Sequence, residues 1–151
     1  MSRTSLFKAM ALVVAFALPS CAVVSVSAAV TVLTPAGTKV ALKYMEPVDT
    51  ATIKPGESVR FHVAADVLVS GRVVIKRSTL VTGTVSRVGH ESVLNAGFAN
   101  ISHLTALAVD FRHVPLQDVR VSAKIFGGNK RVPAGTLVTT GTMKDTTVIV
   151  P

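Results

Sequence analysis

The sequence is poor in the residues that most often carry chemistry. There is one cysteine in 151 residues, no tryptophan, a single tyrosine, four histidines and eight acidic residues against sixteen basic ones. The lone cysteine, Cys21, falls in the N-terminal segment. Without that segment the chain holds no thiol, which excludes disulfides, thiol catalysis and cysteine-ligated metal together. With one tyrosine and no tryptophan, an aromatic platform for stacking sugars or bases is not expected. No stretch shows a helical repeat, so a recognition helix is missing as well, and nucleic acid is not an expected partner.

What the first residues do contain is an export pattern. Arg3 and Lys8 precede an apolar run over 9–18, which Pro19 and Ser20 break, and small residues continue to Ala29. That order of positive flank, short apolar span and small-residue exit predicts a signal peptide over 1–29 and a domain over 30–151. Cleavage after Ala28 or Ala29 satisfies the spacing. Two other outcomes stay open: Leu18-Pro19-Ser20-Cys21 has the form of a lipobox with Cys21 as the lipidated residue, and the apolar segment counted to Val30 is long enough for an uncleaved anchor. A membrane is expected as a partner only through such an N-terminus. The expected location is the periplasm or cell envelope of a bacterium.

Residues 30–151 keep fourteen basic and eight acidic residues, a formal charge of +6. They are rich in Thr and Val, which suit a pleated surface. Apolar residues alternate with polar ones between Gly and Pro breaks, which predicts one all-β domain, a small barrel or a sandwich. Val40, Leu42 and Tyr44 should face inward on one strand, and Val59, Phe61 and Val63 on another, with Pro55-Gly56 turning the chain between them. Ser70-Gly71 reads as a tight hairpin turn. Gly83, inside a strand over 79–88, marks a bulge or a close approach of backbone. Residues 89–97 read as an exposed loop. In the next strand Ala99, Ile101, His103, Thr105, Leu107 and Val109 share the inward side, which would bury His103. Val119, Val121, Ala123 and Ile125 form the cleanest alternation, before Gly127-Gly128 breaks it.

One phrase occurs twice. Pro35-Ala36-Gly37-Thr38 and Pro133-Ala134-Gly135-Thr136 each lead into alternating residues, and Lys76-Arg77-Ser78-Thr79 has the form of a degraded third copy. Proline with glycine two places on makes a strand-launching corner. The copies should therefore start equivalent strands of a pseudo-symmetric structure.

The sequence from Pro35-Ala36-Gly37-Thr38 through Asp66-Val67-Leu68-Val69-Ser70-Gly71, Thr79-Leu80-Val81-Thr82-Gly83-Thr84 and Val109-Asp110-Phe111-Arg112 to the closing Pro-Ala-Gly-Thr resembles small exported bacterial β-rich proteins of unassigned function. It is similar, in its corner-and-strand order, to the C-terminal β-barrel of type IV secretion channel subunits, the TrbI-like family. That resemblance implies a β-barrel and a place in an envelope assembly. Two departures stand out: the middle corner carries Lys76-Arg77-Ser78, and Phe111 occupies a position where a turn glycine is usual.

No reaction follows from these residues. The histidines His62, His90, His103 and His113 have no paired metal spacing, and no metal site or cofactor is expected. Gly127-Gly128-Asn129 lacks the lysine and following helix of a phosphate loop. Val88-Gly89-His90-Glu91-Ser92 gathers an imidazole, a carboxylate and a hydroxyl, but neighbours in sequence seldom form a catalytic set. The expectation is a non-enzymatic envelope module that binds or assembles through its surface. The basic pairs Lys76 and Arg77, and Lys130 and Arg131, would contact an anionic envelope polymer or protein, with His90 and Glu91 as a further candidate contact. The alternative is a subunit of a larger secretion or pilus-like assembly.

Overall fold

The computed structural model describes residues 28–91, 96–122 and 131–151. These are all β. The strands are β1 (Val30–Thr34), β2 (Lys39–Tyr44), β3 (Val48–Asp49), β4 (Ser58–Val63), β5 (Val67–Val69), β6 (Arg72–Ile75), β7 (Leu80–Glu91), β8 (Ala96–Leu107), β9 (His113–Pro115), β10 (Val119–Ser122), β11 (Arg131–Val132), β12 (Leu137–Gly141) and β13 (Thr146–Val150). One antiparallel sheet runs β10-β8-β7-β4-β2-β12, with β9 also on β8. The pairs β1·β13, β5·β6 and β11·β3 stand outside it.

The main sheet curls into a half-barrel around a core dominated by valine, with Phe61, Leu42, Ile101, Leu104 and Leu116 as its larger side chains. Tyr44 and Phe61 pack in it as a tilted aromatic pair, ring centroids 4.7 Å apart and planes at 49°. The sheet's two ends approach one another where Leu116 bridges Thr142, and the Gln117 N–H donates to the Gly141 carbonyl at 2.8 Å.

The recurring phrase has a common geometry, and it occurs four times. In each corner the fourth residue's N–H donates to the first residue's carbonyl: Thr38 to Pro35, Glu57 to Lys54, Thr79 to Lys76 and Thr136 to Pro133, at 3.2–3.3 Å. The third residue has positive φ in every case: Gly37 at 80°, Gly56 at 93°, Ser78 at 66° and Gly135 at 84°. These are type II turns.

Each corner then exchanges two hydrogen bonds with one buried residue of a neighbouring strand. The third residue's N–H donates to that residue's carbonyl, and its N–H returns to the fourth residue's carbonyl. The clasped residues are Thr142, Val85, Val63 and Tyr44 for the corners at 35–38, 54–57, 76–79 and 133–136. Two residues oppose one, so every corner is a glycine-type bulge fused to a turn.

The corners work in reciprocal pairs. Those at 35–38 and 133–136 launch β2 and β12, which are antiparallel partners, and each corner clasps the far end of the other's strand. Those at 54–57 and 76–79 launch β4 and β7, also antiparallel partners: the corner at 76–79 clasps Val63 at the far end of β4, and the corner at 54–57 clasps Val85 within β7. A second likeness relates the two halves. Three residues after the clasped Thr142, Asp145 accepts the Ala36 N–H at 2.7 Å; three after the clasped Val63, Asp66 accepts the Arg77 N–H at 2.7 Å. The chain then enters β13 or β5, which pair with β1 and β6, the strands that feed those same corners. The pseudo-symmetry read from Pro-Ala-Gly-Thr is therefore present, with Lys76-Arg77-Ser78 as a true copy.

Two expectations are corrected. Residues 89–97 are not wholly a loop: β7 runs to Glu91 and β8 starts at Ala96, with His90 opposite Gly97. His103 is exposed rather than buried. Thr84 pairs with Ser102 while Thr82 pairs with Thr105, so β8 carries an extra residue there, and His103 takes it up at φ 56°. The bulge flips the alternation, and Leu104, Ala106 and Ala108 face inward in place of His103, Thr105 and Leu107.

Candidate functional site

The register of β2 on β4 decides where the corners lie. Leu42 opposes Val63 and Tyr44 opposes Phe61. Corners 35–38 and 76–79 therefore share one end of the sheet, and corners 54–57 and 133–136 share the other. Lys76 and Arg77 sit at the first end. Arg131, just before the corner at 133–136, sits at the second, and the structure does not join it to Lys76 in one patch. Lys130 lies outside the described residues. His90 and Glu91 are backbone positions near the tip of the β7–β8 hairpin, far from Lys76 along β7 and on the side of the second end, where Gly97, the partner of His90, lies against Thr50.

At the second end Glu46, Asp49, Glu57, Arg60 and Arg131 line a cleft of about 290 Å³. The acids looked scattered in the sequence, and the strand pairing collects three of them here. Arg60 pairs with Glu46, and the Asp49 carboxylate accepts the Ala51 N–H at 2.9 Å, which makes the turn after β3. Three carboxylates and two guanidiniums nearly cancel, so the cleft has little net field to attract an ion. Among the described residues no three His, Cys, Asp or Glu side chains are placed to hold a metal.

The first end is different. Lys76, Thr79, Leu80, Leu107, Ala108, Val109 and Phe111 line an apolar groove of about 320 Å³. A second depression shares Lys76 and Val109 with it and continues to Arg72 and Val73. Leu80 is 55% exposed and Phe111 80% exposed. Phe111 caps the tight turn between β8 and β9. Its N–H donates to the Ala108 carbonyl at 3.0 Å, the Ala108 N–H donates to Arg112, and Phe111 has φ 64°. Hairpins of this length place glycine at that position. A bulky residue there is strained by about 1–2 kcal/mol, and its exposed ring recovers little of that by burial.

The electrostatics of this end follow from what holds its acids. Asp110 accepts the Ile149 N–H at 2.8 Å and pairs with Arg112. Asp66 and Asp145 accept corner amides. Among the described residues, Lys76 and the Arg77 guanidinium have no ion-pair partner. The acids serve the backbone, and the lysine and arginine face solvent.

The chain matches no protein-family model, no curated protein and no solved structure. Of the groove residues the sequence singled out Lys76, as a basic candidate in a degraded corner, and Phe111, as a departure from a turn glycine. Leu80 and Leu107 gave no signal, because their alternation looks like that of any strand.

Proposed function

We propose that this protein is a non-enzymatic binding module of a bacterial cell envelope, and that its contact surface is the sheet end bearing Lys76, Arg77, Leu80 and Phe111. The observation that carries this reading is Phe111: a bulky ring held at positive φ, four-fifths exposed, beside an unpaired lysine. Strained exposed residues mark function when the fold gains nothing from them. Export through residues 1–29 belongs to the same reading and rests on the positive flank, short apolar run and small-residue exit of the sequence. The bridge from Leu116 to Thr142 supports a small barrel over a sandwich.

The reading is tested by envelope association at low salt. Lys76→Ser with Arg77→Ser should release the protein from the envelope fraction, whereas Lys130→Ser with Arg131→Ser should not. Release by the second pair alone would move the contact to the opposite end, and release by neither would remove the basic contact altogether. A second reading, a subunit of a larger secretion or pilus-like assembly, is favoured by one feature. Beyond Val85, the outer edge of β7 over 86–91 has no strand partner among the described residues, and an open edge can accept a strand from a neighbour. A large homogeneous native mass after gentle extraction would select that reading.

A further inference from the structure

We infer that the end of the sheet bearing Phe111 docks on an anionic lipid surface, with Phe111 and Leu80 entering the interface and Lys76 and Arg77 meeting the head groups. This rests on the binding reading above and names its partner. Phe111 on its turn and Leu80 at its strand start are both largely exposed along one open apolar groove, which acyl chains can enter without a matching shape of their own. Charge complementarity points the same way. Asp66 and Asp110 accept backbone amides and keep their charges, but Lys76, Arg77 and Arg112 outnumber them, so the field at this end is positive. Lys39 and Lys144 extend that basic character along the same end, where Met143 adds another exposed apolar side chain. Apolar residues ringed by Lys and Arg are the usual composition of an interfacial contact, and each cation near an anionic leaflet adds severalfold to partitioning.

The absence of tryptophan makes the test direct, since Phe111→Trp gives the full chain a single indole at the proposed point of entry. The variant is mixed with vesicles of phosphatidylglycerol, then with vesicles of phosphatidylcholine, some carrying brominated acyl chains. Expected are a blue shift and quenching by bromolipid on phosphatidylglycerol, weakened by salt and reduced about thirtyfold in partitioning by Lys76→Ser with Arg77→Ser. Leu80→Trp reports independently from the other wall of the groove, and both variants are first checked for an unchanged unfolding curve. Emission at the position of a water-exposed indole from both sites in the presence of phosphatidylglycerol vesicles would overturn the inference. If envelope association still depended on Lys76 and Arg77, the partner would be an anionic polymer or protein and the binding reading would survive. If that dependence were missing too, both would fall. Because the signal is local to residues 111 and 80, attachment through the N-terminus cannot produce it.

Discussion

The four corners allow a paired experiment in which one physical term is tested with both signs. Ser78 holds the position that glycine holds in the other three corners, at φ 66°. A side chain in the left-handed region costs about 1–2 kcal/mol, while glycine costs roughly 0.5–1 kcal/mol in extra backbone entropy on folding. Ser78→Gly should therefore stabilise the domain by about 0.5–1 kcal/mol. Gly37→Ala is the mirror image. An added Cβ at Gly37 meets nothing within 4 Å, so only backbone conformation is changed, and the expected loss is again about 0.5–1 kcal/mol. For a domain of this size either change moves the melting temperature by about 2–4 °C. Urea unfolding of both variants, with an unchanged m-value, gives the comparison free of long extrapolation. A loss of stability in Ser78→Gly, or no loss in Gly37→Ala, would refute the claim that these positions carry equivalent turns.

Gly83→Ala probes packing instead. Its Cβ would lie 2.4 Å from Ile101 Cγ2 and 3.0 Å from Leu104 Cγ, both fully buried, so a cost of about 1–3 kcal/mol in urea unfolding is expected and a neutral result would show that β8 can shift. Tyr44 gives a pH prediction. Burial raises its phenol above the usual 10.0, so its neutral form contributes stability that is complete below about pH 10 and is lost as pH rises beyond it, by about 1.4 kcal/mol per pH unit. As the only tyrosine in a chain without tryptophan, it should show tyrosinate absorbance appearing with unfolding; ionisation near pH 10 with the fold intact would contradict its burial.

How much of this was legible in the sequence depends on what interrupts the alternation. The inward faces of β2 and β4 read correctly, because nothing between Val40 and Tyr44 or between Val59 and Val63 breaks the pleat. Strand β8 did not. Its bulge falls at His103, and neither Ser102 nor His103 is a residue that announces positive φ as glycine does. From that point every side chain changes face, which is how one inserted residue turned an expected buried imidazole into an exposed one. The glycines of the β7–β8 hairpin misled for the opposite reason. Gly89 and Gly97 looked like loop residues, yet both sit in strands where a Cβ would strike the Phe98 ring at 2.7 Å or Thr50 Oγ1 at 2.4 Å. Glycine there answers a need for space, and sequence alone does not separate that need from a need for a turn.

The candidate site was legible only where it broke a local rule. Lys76-Arg77-Ser78 and Phe111 both stand where the backbone asks for proline or glycine, and both were visible as departures before any geometry was known. The structure adds that the two departures meet: Lys76 and Phe111 line the same groove, at the end of the sheet where Asp66 and Asp110 accept backbone amides. Either departure alone would be a tolerable flaw in a turn. Two of them, far apart in the chain and adjacent in space, replace conformationally favoured residues with a cation and an exposed aromatic ring. Folding does not gain from that exchange, because Ser78 and Phe111 each keep positive φ at a cost. The groove is therefore the place where the sequence departs most from what its own fold would favour, and where binding is most economically sought.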